Sequence, residues 1–308
     1  MLYVFWHGGN GGGNMSNTIK KVAIVTNYNV YDKAGAAMTV AKKLYELGFE
    51  IYASVYNKEK IIRMNKNEIK FNFITMDEIY STVDAVCVLG GDGTILESAR
   101  RASACGIPVI GVNLGRVGFM AELEPNEIDM FEKMASGDYR IEERSMLSVE
   151  IINNTGKVRA SGIALNDAAI TNGSISRIVD LELSEAGIPV ATYRSDGIIV
   201  ATPTGSTAYS MAAGGAIVDP RVACFCVTPI CPHSLSSKPL VFPDSAVITI
   251  KNICQREKIL YLTLDGRANF EFFRGESVQV TRSPINAKFI SVNESKFYTK
   301  LRQKMNDK

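Results

Sequence analysis

Excess charge is almost missing from this 308-residue chain: 34 Lys and Arg stand against 32 Asp and Glu, a formal net charge of +2. No long run of like charge occurs, which argues against a nucleic-acid footprint and against a polybasic membrane anchor. Long apolar runs are missing too, and none approaches the ~20 residues of a membrane span. The opening segment MLYVFWHGGNGGGNMSNT has neither the basic start nor the apolar centre of a secretion signal. It reads as a flexible extension over residues 1–18, with Met15 as an alternative initiator. Cysteine is sparse for a disulfide scaffold: Cys87, Cys105, Cys224, Cys226, Cys231 and Cys254 are scattered and mostly lie in apolar runs. That usage fits reduced thiols of a cytoplasmic protein. Cys224, Cys226 and Cys231 lack a suitably spaced fourth ligand, and Cys224 and Cys226 fall at period two on one strand face, so no metal site of protein ligands is expected. His233 is assigned a structural role, and His7 carries no signal. With nucleic acid and membrane set aside, small molecules are the expected partners.

The order of apolar periodicities divides the chain. Lys21 to Asn27 reads as a buried strand, and Asp32 to Gly48 as a helix with Ala37, Val40, Ala41, Leu44 and Leu47 on one face. Phe49 to Tyr56 and Asp84 to Leu89 read as strands, a helix runs on to Ala104, and Val109 to Val112 is a further strand. A helix is expected from about Pro125 to Met134. Alternation of this kind predicts an open parallel α/β sheet covered on both faces, spanning residues 19–142. Beyond it the texture becomes β-rich, with strands expected at Met146 to Ile152, Ile178 to Leu183, Val190 to Arg194, Gly197 to Thr202, Val247 to Ile250 and Tyr261 to Leu264. Residues 143–288 are therefore assigned to a β-sandwich. The segment 289–308 carries Phe297, Leu301 and Met305 at helical spacing, and is expected to pack back on the first domain.

The pentapeptide Gly90-Gly91-Asp92-Gly93-Thr94 lies between the apolar run Ala85 to Leu89 and a helical pattern beginning at Ile95. In open α/β sheets, ligands bind at such carboxyl ends of strands. Glycines admit backbone N–H groups close to a phosphate, and the following helix N-terminus favours negative charge. Asp92 is the anomaly, because a carboxylate repels phosphates unless it holds a metal ion or takes a proton from an attacking hydroxyl. The turn thus points to phosphoryl transfer, with a tight turn carrying a solvated Asp as the plain alternative.

A second segment, Asp196-Gly197 through Thr202-Pro203-Thr204-Gly205-Ser206-Thr207-Ala208-Tyr209-Ser210-Met211-Ala212 to Gly214-Gly215, offers hydroxyls and amides with little bulk, which suits sugar and phosphate contacts. A close-packed helix of small residues is the competing explanation. Taken with GGDGT, the loop NLGRVGF at 113–119, LND at 165–167, RSDG at 194–197 and TPICPHSLSSKPLVFP at 228–243, the sequence resembles the NAD kinases, and the bacterial ATP- or polyphosphate-dependent members above all. The resemblance covers residues 20–295. GGDGT by itself is shared with diacylglycerol and sphingosine kinases and, in variant form, with phosphofructokinases.

The resemblance implies an N-terminal phosphofructokinase/diacylglycerol kinase-like α/β domain and transfer of the γ-phosphoryl of ATP, or a phosphoryl of polyphosphate, to the 2′-hydroxyl of the adenosine ribose of NAD. It makes Asp92 the catalytic base, with Gly93 and Thr94 beside the ligand. It places Phe119 on adenine, and Asn166 and Asp167 on the adenosine part of NAD. Asp196, Thr207, Ala208, Tyr209, Ser210, Met211, Ala212 and Asp265 match dinucleotide-contacting positions. Arg177 and Arg194 match basic residues that contact ligand or bridge subunits, and the family implies a homodimer or homotetramer. Mg²⁺, or another divalent cation, is expected with the donor phosphates. Two positions depart from the bacterial pattern: Ala212 replaces a Ser and Arg267 a Gln. A lipid or sugar kinase on the same turn, or a non-catalytic NAD(P)-binding module, are the competing readings. The Asn166-Asp167 pair and the STAYS run disfavour the first, and Asp92 disfavours the second. A Rossmann dehydrogenase is disfavoured because Asn27-Tyr28-Asn29-Val30 contains no Gly-x-Gly-x-x-Gly.

Overall fold

The structure is a computed structural model that describes residues 19–65, 68–115, 118–173, 178–234, 236–255, 259–294 and 297–306. The expected extension at 1–18 and Arg177 lie outside these residues.

The N-terminal region alternates strand and helix: β1 (Lys21–Val25), α1 (Tyr31–Glu46), β2 (Glu50–Ser54), α2 (Lys58–Asn65), β3 (Phe71–Ile74), α3 (Met76–Thr82), β4 (Ala85–Gly90), α4 (Asp92–Ser103) and β5 (Val109–Asn113). A 3₁₀ turn over Pro125–Met130 leads into α5 (Phe131–Ser136), and β6 (Arg140–Arg144) follows. On α1, Ala34, Ala37, Val40, Ala41 and Leu44 are buried, the stripe that period 3.6 demands. Every residue of β4 is buried, because helices cover both faces of the sheet.

The β-rich region comprises β7 (Leu147–Ile152), β8 (Val158–Ala164), β9 (Asp167–Asn172), β10 (Val179–Glu185), β11 (Ile188–Ser195) and β12 (Gly197–Ala201). A short 3₁₀ turn (Gly205–Thr207) and α6 (Tyr209–Ala212) interrupt it. The run then resumes with β13 (Cys224–Ile230), β14 (Leu240–Pro243), β15 (Ile248–Asn252), β16 (Leu260–Leu264), β17 (Ala268–Phe272) and β18 (Ser277–Arg282). Two antiparallel six-stranded sheets result, in the orders β11-β10-β15-β18-β7-β8 and β14-β13-β12-β9-β16-β17. Their facing residues, among them Val149, Leu181, Ile198, Val200, Phe225 and Val278, form one core. Ile199 and Ala201 point the other way along β12, as the two-residue period requires, and pack with Cys224, Cys226, Ala213 and Val218. Cys224 and Cys226 thus share one strand face.

The chain returns to the first sheet as a strand before it becomes a helix. β19 (Ala287–Ser291) inserts between β5 and β6, and α7 (Phe297–Asn306) follows. A helix alone was expected there, from residue 289; the strand is too short for its periodicity to stand out. The completed seven-stranded sheet has the order β3-β2-β1-β4-β5-β19-β6, with β1 parallel to both β2 and β4. Strand order therefore reverses between β1 and β4. A crevice opens at the carboxyl ends of the strands at such a reversal, and GGDGT follows β4 there.

Candidate active site

Asp92 opens α4, with Gly91 as the extended residue before it. Its carboxylate accepts hydrogen bonds from the backbone N–H groups of Phe119 (3.0 Å) and Met120 (3.1 Å). Gly118 makes this contact sterically feasible, since a Cβ there would lie 2.2 Å from an Asp92 oxygen. Gly90 packs on the side chain of Thr94, and nothing comes within 4 Å of a Cβ built at Gly93, which faces open space. Leu96 lies one helical turn after Asp92 and on the same face. It lines a cleft of about 400 Å³ together with Asn166, Asp167, Ala208, Tyr209 and Asp265. The other lining residues are Ala169, Thr171, Thr263 and Gly266.

The far wall is built around Asp265, a non-glycine residue at φ +50°. Its carboxylate accepts the backbone N–H groups of Leu165 (2.9 Å), Asn166 (2.7 Å) and Asp167 (3.2 Å). Asp265 thereby fixes the 165–167 turn while lining the cleft. Asp167 is buried, and burial, reinforced by the nearby charge of Asp265, pushes its carboxyl from 3.8 up to about 7. The side-chain oxygen of Asn166 is buried without a hydrogen-bond partner among the described residues. A buried acceptor in that state is costly unless a ligand supplies a donor. Thr202 N–H donates to the Asn166 carbonyl (2.9 Å), and Gly205 lets the following 3₁₀ turn press against it.

Other site candidates separate from this wall. Ser210 is fully buried and bonded to Thr228 (3.0 Å), so its hydroxyl belongs to the core. Met211 and Ala212 are exposed on α6, where the missing hydroxyl of Ala212 faces solvent. Thr207 and Phe119 line a smaller neighbouring cavity of about 60 Å³, and the Phe119 ring packs on Phe297 (centroids 5.9 Å apart) and beneath Lys304. Arg194 and Asp196 are exposed at the end of β11, outside the cleft lining; burial chiefly, then Cys231, Asp167 and Asp196, raises the pKa of the Tyr209 hydroxyl. His233 is exposed and gives its backbone N–H to the Arg194 carbonyl (2.8 Å).

Sequence reasoning passed over Glu97, where Arg100 (2.9 Å), Arg101 (2.7 Å) and Arg267 (3.3 Å) converge. The extra charge of Arg267 is thus met by a carboxylate on α4, and the pair spans the two walls of the cleft. It also passed over Thr171, Thr263 and Ala169, plain strand residues that become cleft lining through the pairing of β9 with β16, and Leu96, a plain helix residue that lines the cleft from α4. Among the described residues no group of three or more His, Cys, Asp or Glu could hold a metal ion.

Residues 22–139 match the ATP-NAD kinase N-terminal domain, and residues 165–292 match the ATP-NAD kinase C-terminal domain. The chain belongs to the ATP-NAD kinase family. It is 42% identical over 233 residues to the NAD kinase of Carboxydothermus hydrogenoformans, covering 75% of this chain and 82% of that protein. Among solved structures, the yeast NADH kinase complexed with NADH superimposes with a TM-score of 0.84 at 24% identity, over 95% of this chain and 90% of that one. An NAD kinase from Archaeoglobus fulgidus in complex with ATP gives a TM-score of 0.65 at 25% identity, over 92% and 97%. The cleft described above is lined by Leu96 of α4 on the α/β side and by residues of β9 and β16 on the β side.

Proposed function

We propose that this family member transfers a phosphoryl group from ATP, or from polyphosphate, to the 2′-hydroxyl of the adenosine ribose of NAD, giving NADP. The observation that carries the reading is a fixed carboxylate, Asp92, on the helix whose next turn, at Leu96, lines the same cleft as the unmatched Asn166 acceptor. Asn166 takes a donor from the adenosine part of NAD, and Asp167 hydrogen-bonds the ribose. Ala208 and Tyr209 form the small and aromatic parts of the same wall. Asp265 acts as the clamp of the 165–167 turn. Packing of Phe119 on adenine requires its ring to be shared between the ligand and α7.

In the reaction, the 2′-oxygen attacks the γ-phosphorus as its proton passes to a carboxylate oxygen of Asp92, and the bond to the leaving ADP oxygen breaks. Two amides hold that carboxylate, so its orientation precedes substrate binding, and phosphoryl transfer rewards positioning above all. Gly93, at the start of α4, offers its backbone N–H to donor phosphates, whereas that of Thr94 is taken by the Gly91 carbonyl (2.9 Å). The donor set of the turn is hard oxygen only, which fits Mg²⁺ arriving with the phosphates, and that ion would neutralise their charge.

Arg194 and Asp196, exposed at one end of β11, are assigned to the site of a neighbouring subunit in a homodimer or homotetramer. Sedimentation of the purified protein as a monomer would overturn that assignment. All six cysteines are free thiols, which suits a cytoplasmic enzyme. Incubation with NAD, ATP and Mg²⁺, coupled to an NADP-specific dehydrogenase, tests the reading. NADP is expected, and its absence with both ATP and polyphosphate would refute it. Phosphorylation of a lipid in preference to NAD would favour the rival kinase class.

A further inference from the structure

The loop that holds Asp92 is itself held by the C-terminal segment. Glu122, two residues beyond Met120, is largely buried, and one of its oxygens accepts the backbone N–H groups of Val292 and Asn293 (both 2.9 Å) and the hydroxyl of Ser291 (3.3 Å). Lys300, a buried residue on α7, donates to the carbonyl of Ala121. Phe297 and Lys304, on the same helix, pack on the Phe119 ring. Each residue from Phe119 to Glu122 except Met120 therefore has a contact with the segment 291–304, and Met120 is held between two anchored neighbours. The two amides that grip Asp92 come from Phe119 and Met120.

We infer that Lys300 and Phe297 are positioning residues, which act through the 119–122 loop to hold the Asp92 carboxylate in its reactive orientation. Neither lines the cleft of Asn166 and Asp167, and both line the smaller cavity beside the Phe119 ring. A buried ammonium is costly to desolvate, and the carbonyl of Ala121 is one of the groups that offset that cost. Lys300 is also close enough to Glu122 for the two charges to offset each other, so one side chain steadies both ends of the 121–122 step. Sequence alone gave no sign of this. The only pattern at the C-terminus was an apolar stripe of Phe297, Leu301 and Met305, which says that a helix docks but not on what.

The inference rests on the kinase reading for its consequence, and its structural part can be tested without turnover. Amide hydrogen exchange at Phe119 and Met120 reports the loop directly. In Lys300→Met, exchange at both amides is expected to quicken at least tenfold, with exchange in β1 and β4 unchanged. In NADP formation the same variant is expected to lose about 10- to 100-fold in kcat, as a misplacement of the reacting group does, with KM for NAD within about twofold of wild type. Lys300→Arg, which keeps a cationic donor, is expected to restore most of both. Phe297→Leu is the second variant should Lys300→Met not fold, and a smaller change in the same direction is expected of it. Unaltered exchange at Phe119 and Met120 in the folded variants would overturn the inference, as would a rise in KM at constant kcat. Quickened exchange in a protein whose wild type makes no NADP would uphold the structural link and refute the kinase reading instead.

Discussion

Asp92 is held at both oxygens by amides of a loop 27 and 28 residues downstream, and Gly118 leaves just enough room for this. A methyl group at Gly118 would overlap the carboxylate, so Gly118→Ala is expected to lower kcat by at least about tenfold through displacement of the base. Steady-state kinetics beside a thermal melt checks this, and a drop in Tm without a drop in kcat would contradict it. Asp167 gives a pH signature. Its carboxyl is neutral at a higher pH in the folded protein than in the unfolded chain, where it titrates near 3.8, against about 7 when folded. Between those values the folded state binds more protons, so the contribution of Asp167 to stability is full below about pH 4 and is lost as pH rises to about 7. Denaturant titrations at pH 5 and pH 8 are expected to show a larger fall for wild type than for Asp167→Asn. Equal falls would place the proton elsewhere.

At the scale of elements, the site depends on close backbone contacts that side-chain patterns do not announce. Gly205 brings its 3₁₀ turn so near the Asn166 carbonyl that an added Cβ would sit 2.0 Å from that oxygen. Gly205→Ala is expected to cost about 1–3 kcal/mol by overpacking and to raise KM for NAD, because the Asn166 turn must shift. A denaturant midpoint and a KM measurement test the two effects together. The buried strands β4 and β12 and the amphipathic α1 were legible because burial on both faces, or on one stripe, writes itself into apolar periodicity. GGDGT was legible because three glycines around one carboxylate have little reason to occur in a plain turn. The returning strand β19 and the hold of α7 on the 119–122 loop were not, since both depend on partners more than a hundred residues away in the chain. Ser210 shows a use of the motif that its pattern did not announce: its hydroxyl hydrogen-bonds that of Thr228 in the core.

At the scale of the whole molecule, the candidate site lies where the α/β region meets the β-rich region, which share a core cluster that includes Ile95, Val109, Met146 and Leu165. The strand-order reversal between β1 and β4 supplies the carboxylate, and the pairing of β9 with β16 supplies the wall with the unmatched Asn166 oxygen. Glu97 and Arg267 link the two sides across the cleft, and the C-terminal segment ties the β region back to the loop that governs Asp92. Among the described residues, no helix is long and apolar enough to cross a membrane. The central claim is that this junction phosphorylates NAD with Asp92 as the base. It is tested most directly by single-turnover formation of NADP from saturating NAD and ATP, in wild type and in Asp92→Asn. The expected result is NADP from the wild type and a rate reduced about 10²–10⁴-fold in the variant, with NAD binding retained. NADP formation by Asp92→Asn at the wild-type rate, or none by either protein, would contradict the account.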